Sequence, residues 1–196
     1  GVASGFWING TGPACAIANV NYDGMVSLAI GPVDIGGKSG IILELDWDGN
    51  RVWEYEEPTL HHDFSRLPNG NTMVTGWELV PPETMKEVKG GVAGSEPAAG
   101  MWSDYFREVT VQGDTVWEWH AHEHLDPVAA AICPLHRRDE WTHTNTCHVL
   151  PDGNILTSWR LLDTVAIVDK TTGDFTCKWG RGELGHQHDP NLLDNG

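Results

Sequence analysis

The stretch Ile41-Ile42-Leu43-Glu44-Leu45-Asp46-Trp47-Asp48-Gly49-Asn50-Arg51-Val52-Trp53-Glu54-Tyr55 decides the fold class. Two short runs of β-favouring residues flank Asp48-Gly49, and an Asp-Gly pair supplies the positive φ that tight hairpin turns require. The arrangement recurs where residues 165–169 precede Thr172-Gly173 and residues 175–179 follow it. Both stretches are predicted to be β-hairpins.

Working outward, glycines that end turn signals recur at Gly24, Gly49, Gly70, Gly113, Gly153, Gly173 and Gly196, with separations of 25, 21, 43, 40, 20 and 23. Gly90-Gly91 and the Cys133 region fall in the two double gaps, so a unit of about 21 residues is expected to account for nearly the whole chain. Two hairpins then make a four-stranded sheet of about 42 residues, the size of one propeller blade. The 10 tryptophans suit a core between such blades. No apolar period of 3.6 residues appears outside the stretch 82–88, which argues against α/β architecture. The prediction is all-β: one β-propeller domain over residues 1–196, with four to five blades represented. The chain stops at Leu193-Asp194-Asn195-Gly196, where another strand is due. The ring is therefore expected to be incomplete at both ends, to be finished by further chain, by another chain or by a homo-oligomeric partner.

The totals narrow the partners. With 28 acidic against 12 basic residues the formal charge is −16, which repels a polyphosphate backbone and excludes nucleic acid as a partner. No apolar run reaches the roughly 18 to 20 residues that a membrane span needs. An acidic chain that takes a small anion must use a few local donors, so clusters of Arg and His carry the most information. Cys15, Cys133, Cys147 and Cys177 lack CxxC spacing, which sets aside a zinc ribbon or a thioredoxin motif; buried free thiols are expected for most.

Aligned on the turns, His62-Asp63 before Asn69-Gly70 matches His188-Asp189 before Asn195-Gly196, and Asn145 falls at the same place before Asp152-Gly153. In a propeller the first strand of each blade lines the central channel, so His62, Asn145 and His188 are expected to converge there, with His143 two residues away. Arg160 ends the strand after Asp152-Gly153 and can bring a planar fork of donors to the same region. His61 and His186 flank the cluster as substrate-binding candidates. A second group, His120, His122 and His124, alternates along one predicted strand. Neighbours there stand about 7 Å apart, too far for all three to hold one ion without a bend. That segment is expected to be a polar loop with His124 alone near substrate, and His136 and His148 are expected to serve surface or packing roles.

From about Gly37 to the last residue these segments resemble the bacterial arylsulfate-dependent aryl sulfotransferase family. The resemblance is carried by Leu43-Glu44-Leu45-Asp46-Trp47-Asp48-Gly49 and by the stretches 61–71, 90–96, 117–126, 139–145 and 185–196; residues 1–36 match weakly. It implies a six-bladed propeller that moves a sulfuryl group from an aryl sulfate to a phenol through a sulfohistidine, without a cofactor, in a periplasmic or secreted setting. By motif, His188 is similar to the family's transiently sulfated histidine. His143, Asn145 and Arg160 are similar to the residues holding the sulfuryl oxygens, and His62 to the remaining axial histidine, with His61 as its rival. The crowding of His120, His122 and His124 departs from the family's pattern.

Three functions follow as expectations. The first is sulfuryl transfer with His188 as nucleophile. The second is a metal-dependent hydrolase or oxidoreductase with His62, His143 and His188 as ligands and an open fourth position. The third is a non-catalytic propeller that binds partners through its rim.

Overall fold

The computed structural model describes residues 3–7, 14–21, 40–46, 48 and 50–193. They form three four-stranded antiparallel sheets, each in sequence order. The first holds β1 (Ala3–Trp7), β2 (Ala14–Asn21), β3 (Gly40–Asp46) and β4 (Arg51–Glu56). The second holds β5 (Leu60–Arg66), β6 (Thr72–Leu79), β7 (Trp102–Val109) and β8 (Thr115–His120). The third holds β9 (Thr144–Val149), β10 (Ile155–Trp159), β11 (Thr164–Val168) and β12 (Phe175–Trp179). The hairpins read from residues 41–55 and 165–179 are β3–β4 and β11–β12.

The turn glycines earn their places through backbone conformation. Gly70, Gly113, Gly153 and Gly173 have φ of 87°, 88°, 90° and 78°, a region that a side chain enters only at a cost. Each closes its turn by donating its N–H to a carbonyl three or four residues back, on Leu67, Thr110, Leu150 and Asp169. Gly24, Gly49 and Gly196 lie outside the described residues.

The two double gaps are not hidden repeats, and the expected four to five blades reduce to three sheets among the described residues. Gly90-Gly91 sits in a long excursion between β6 and β7, which otherwise pair without interruption from Thr72↔Val109 to Leu79↔Trp102. The excursion carries the short helix α1 (Pro82–Glu87), with proline in its first turn where no N–H is needed. The Cys133 region lies in the connection from the second sheet to the third, after a one-turn helix α2 (Ala121–His124). Loops and short helices, not a further hairpin, account for the extra length of both gaps.

Tryptophans hold adjacent sheets together by a repeated device. Trp53 of β4 donates its indole N–H to Val111 O in a turn of the second sheet, at 2.8 Å. Trp117 of β8 does the same to Lys170 O in a turn of the third, at 3.0 Å. Between the second and third sheets Trp119 stacks on Phe106 and Trp159, with ring centroids 5.3 and 6.1 Å away, inside the main apolar cluster. A smaller cluster of Ile42, Leu60, Val74 and Val109 joins the first sheet to the second.

The first strands of the second and third sheets, β5 and β9, lie side by side. Asp63 Oδ2 accepts the Cys147 N–H at 2.7 Å and Ser65 Oγ accepts the Val149 N–H at 3.3 Å. The cysteines Cys133 and Cys147 are buried free thiols, as read, whereas Cys177 is free but exposed; the Cys15 side chain lies outside the described residues. No helix of the described residues is long and apolar enough to cross a membrane.

Candidate active site

The site begins with a buried acid. Asp104, in the middle of β7, is 1% exposed, and β9 satisfies one of its oxygens: Oδ2 accepts both the N–H and the hydroxyl of Thr144 at 2.7 Å. Burial alone would raise its pKa; the His61 imidazole and the Thr142 and Thr144 hydroxyls reverse this and hold it down to about 2. Its Oδ1 stands 3.1 Å from His61 Nε2, an ion-pair contact short of straight hydrogen-bond geometry. His61 is fully buried and stacks on Trp77 with centroids 4.1 Å apart. His61 Nδ1 then meets His62 Nδ1 at 2.9 Å.

This chain orients His62. One proton is shared between His61 Nδ1 and His62 Nδ1, so whichever ring donates it sets the tautomer of the other. Burial first, then His61 and His143, push the His62 pKa from 6.5 down to about 2, so the ring is neutral. Its ring meets that of His143 edge-on with centroids 4.7 Å apart.

His143 is tuned the opposite way. Burial lowers its pKa, but the Glu140 carboxylate, 2.7 Å from Nδ1, outweighs burial and raises it. Two neighbouring imidazoles thus carry opposite biases, one held neutral and one drawn toward the cation. Arg160 begins a 3₁₀ turn (Arg160–Leu162) at the end of β10, and its backbone N–H donates to His143 O at 3.1 Å. Its Nη1 lies 3.3 Å from His136 Nε2. His136, Arg137, Glu140, His143, Arg160 and Leu161 line a cavity of about 290 Å³.

The segment 186–189 is laid across the end of the third sheet by side-chain anchors. The His186 N–H donates to Asp163 Oδ1 at 2.9 Å, and the Asp189 N–H to Thr146 Oγ1 at 3.1 Å. Gln187 O accepts from Ser158 Oγ at 3.1 Å and from Asn145 Nδ2 at 3.3 Å. His188 is exposed and close enough to His62 to lower its pKa. Its Nδ1 is 3.0 Å from His186 O. A carbonyl only accepts, so Nδ1 carries the proton and the lone pair sits on Nε2.

Strain marks the same place. Every non-glycine residue of positive φ among those described, His62 (46°), His143 (58°), Asp163 (53°), His186 (51°) and Asp189 (48°), belongs to this group or touches it. Such residues cost about 1–3 kcal/mol each and persist where their surroundings over-determine them.

The structure thus brings together His61, His62, His143, Asn145, Arg160 and the segment carrying His186 and His188. His124 does not join them. The strand ends at His120, and α2 swings His124 onto Trp119, with centroids 4.9 Å apart, over Gly173 in the seam between sheets. The same bend alters the spacing argument for this segment: His120 Nδ1 and His122 Nδ1 both reach Glu78, at 2.8 and 3.1 Å. His136 is half-buried, and its Nε2 lies 3.0 Å from His186 Nε2. His148 is exposed, as read. Among the described residues, the groups whose ligand atoms lie within 4.8 Å of one another are Cys133, His136, His186 and Glu78, His120, His122. The trio His62, His143 and His188 is not such a group.

Sequence reasoning missed Asp104, Glu140, Asp163 and Gln187. Glu140 stands three residues before His143 and Cys133-Pro-Leu-His136 has C-x-x-H spacing, both visible signals. Asp104 has no repeat partner and gave none.

A family model described as arylsulfotransferase (ASST) matches residues 22–189. No curated protein sequence matches the chain.

Proposed function

Since the chain belongs to the arylsulfotransferase family, we propose that it transfers a sulfuryl group from an aryl sulfate to a phenol through a sulfohistidine at His188. One observation carries this reading: the His188 proton is engaged by the His186 carbonyl, which leaves the Nε2 lone pair available near His62. A neutral imidazole of this kind is a competent nucleophile near neutral pH.

In the first half-reaction His188 Nε2 attacks sulfur; the N–S bond forms, the bond from sulfur to the aryl oxygen breaks, and the cationic His143 gives its Nε2 proton to the departing phenolate. In the second, the acceptor phenol oxygen attacks sulfur, the N–S bond breaks, and His143, now neutral, takes the phenol proton. Arg160 and the Asn145 amide hold the sulfuryl oxygens. Positioning and charge stabilisation matter most in such a loose transfer, by analogy with phosphoryl groups. Neutral His62, edge-on to His143 and held by its contact with His61, lines the acceptor side. His186 shapes the wall through its backbone.

We also read the three sheets as blades of a propeller, with further chain or another copy completing the ring. The support is the side-by-side packing of the inner strands β5 and β9 and the repeated tryptophan-to-turn bonds.

Incubating the protein with a chromogenic aryl sulfate and a phenol should release the chromophore over many turnovers, whereas the aryl sulfate alone should release at most one equivalent per chain. His188→Ala should abolish release while leaving the fold intact by circular dichroism. Full release by that variant would refute the assignment.

A further inference from the structure

Beside the proposed active site, three groups from distant parts of the chain point at one another without a sufficient set of protons. His186 Nε2 lies 3.0 Å from His136 Nε2 and 3.3 Å from Cys133 Sγ. Arg160 Nη1 lies 3.3 Å from the same His136 Nε2. An imidazole nitrogen has one in-plane lone pair, and a guanidinium can only donate. If His136 Nε2 accepts from Arg160, it cannot also accept from His186; if it carries a proton, it opposes Arg160. Hydrogen bonding alone leaves one of these contacts unmet.

A cation would satisfy the Cys133, His136 and His186 atoms together, with the Arg160 Nη1 contact to His136 Nε2 given up when the ion binds. We propose that Cys133, His136 and His186 bind one zinc ion. Zinc takes thiolate at about 2.3 Å and imidazole at about 2.0–2.1 Å in tetrahedral sites, so two ligand nitrogens should stand about 3.3 Å apart and a nitrogen and sulfur about 3.5 Å apart. The observed 3.0 and 3.3 Å are slightly tighter than these spacings. The ligand set is the borderline-soft mixture that zinc favours. Binding releases the Cys133 thiol proton to solvent, and the two imidazoles bind as neutral bases.

The surroundings are built to hold these ligands. Cys133 is 6% exposed, and its N–H donates to Leu161 O at 2.8 Å. His136 follows it in a tight turn closed by the His136 N–H to Cys133 O bond at 3.1 Å, which sets both side chains of the C-x-x-H pair on one side. His186 adopts its unfavourable φ of 51° with its N–H fixed by Asp163 Oδ1. The second trio, Glu78, His120 and His122, carries no such tension: two Nδ1–H groups donating to the two carboxylate oxygens satisfy it as it stands.

The zinc content of purified protein and its cobalt(II)-substituted spectrum test this without reference to sulfuryl transfer. We expect one zinc per chain. The cobalt form should show a thiolate-to-metal charge-transfer band that Cys133→Ser removes and Cys177→Ser keeps, with zinc affinity falling at least about tenfold in His136→Ala. If Cys133→Ser fails to fold, zinc should still slow alkylation of Cys133 in the unmodified protein, mapped by peptide mass. Sub-stoichiometric metal in zinc-replete protein would overturn the proposal, as would a charge-transfer band that persists in a folded Cys133→Ser variant or metal binding lost in His120→Ala alone.

Discussion

His62 and His143 show how one pair of residue types is driven in opposite directions by what surrounds it. His62 has only other imidazoles and a carboxylate one residue removed, so burial dominates and the ring stays neutral. His143 has Glu140 in direct contact, and the ion pair outweighs burial. The acid role proposed for His143 therefore exists below its raised pKa and is lost as pH rises through it. Glu140→Gln removes the group that raises the pKa, so the alkaline limb of kcat/KM should move to lower pH while the maximal rate below that limb changes less. An unmoved limb in the pH profile would show that His143 does not supply the proton. At this scale His62, Asn145 and His188 were legible because the turn repeat aligned them, and His143 and Arg160 because they stand beside the aligned position and at the end of the next strand. Of the carboxylates that tune them, Glu140 left a visible signal three residues before His143, whereas Asp104 left none, since it reaches the site from the third strand of its sheet and lies outside any aligned position.

Hairpin turns were the most legible elements, because a tight turn needs a backbone conformation that glycine adopts freely and that shows directly in sequence. Gly153 and Gly90 are alike in φ, at 90° and 81°, yet differ in what surrounds them. A Cβ on Gly153 meets nothing within 4 Å, whereas one on Gly90 would stand 2.0 Å from Ile132 O, where the excursion bridges the connection to the third sheet. Gly153→Ala should cost about 1 kcal/mol of conformational strain. Gly90→Ala should cost at least about 3 kcal/mol, since backbone must move as well. Urea unfolding of both variants checks the ordering; equal losses would mean that the excursion is not held against residue 132. The same excursion explains why regular spacing misled the blade count: an insertion of helix and loop has nearly the length of a hairpin, and length alone cannot tell them apart. The bend at His120 was equally hidden, because alternation of histidines fits both a strand and the strand-to-helix junction that forms.

Across the molecule, a net charge of −16 coexists with a pocket in which Arg160 stands with the pairs His143–Glu140 and Arg137–Asp139, so the proposed anion binding rests on short-range donors and not on the overall field. Those donors are assembled by long-range architecture: β5 beside β9, tryptophans sealing one sheet against the next, and the segment 186–189 pinned across the third sheet's end. That all-β plan was readable from the turns and the tryptophans, whereas the pinning was not, since it depends on Ser158, Thr146 and Asp163, residues of ordinary type in ordinary contexts. The account stands on a covalent intermediate at His188, and peptide mass mapping after exposure to an aryl sulfate with no acceptor tests it most directly. The predicted result is one SO₃ group on the peptide containing His188, discharged when a phenol is added. An unmodified peptide despite turnover, or the group on another residue, would contradict it.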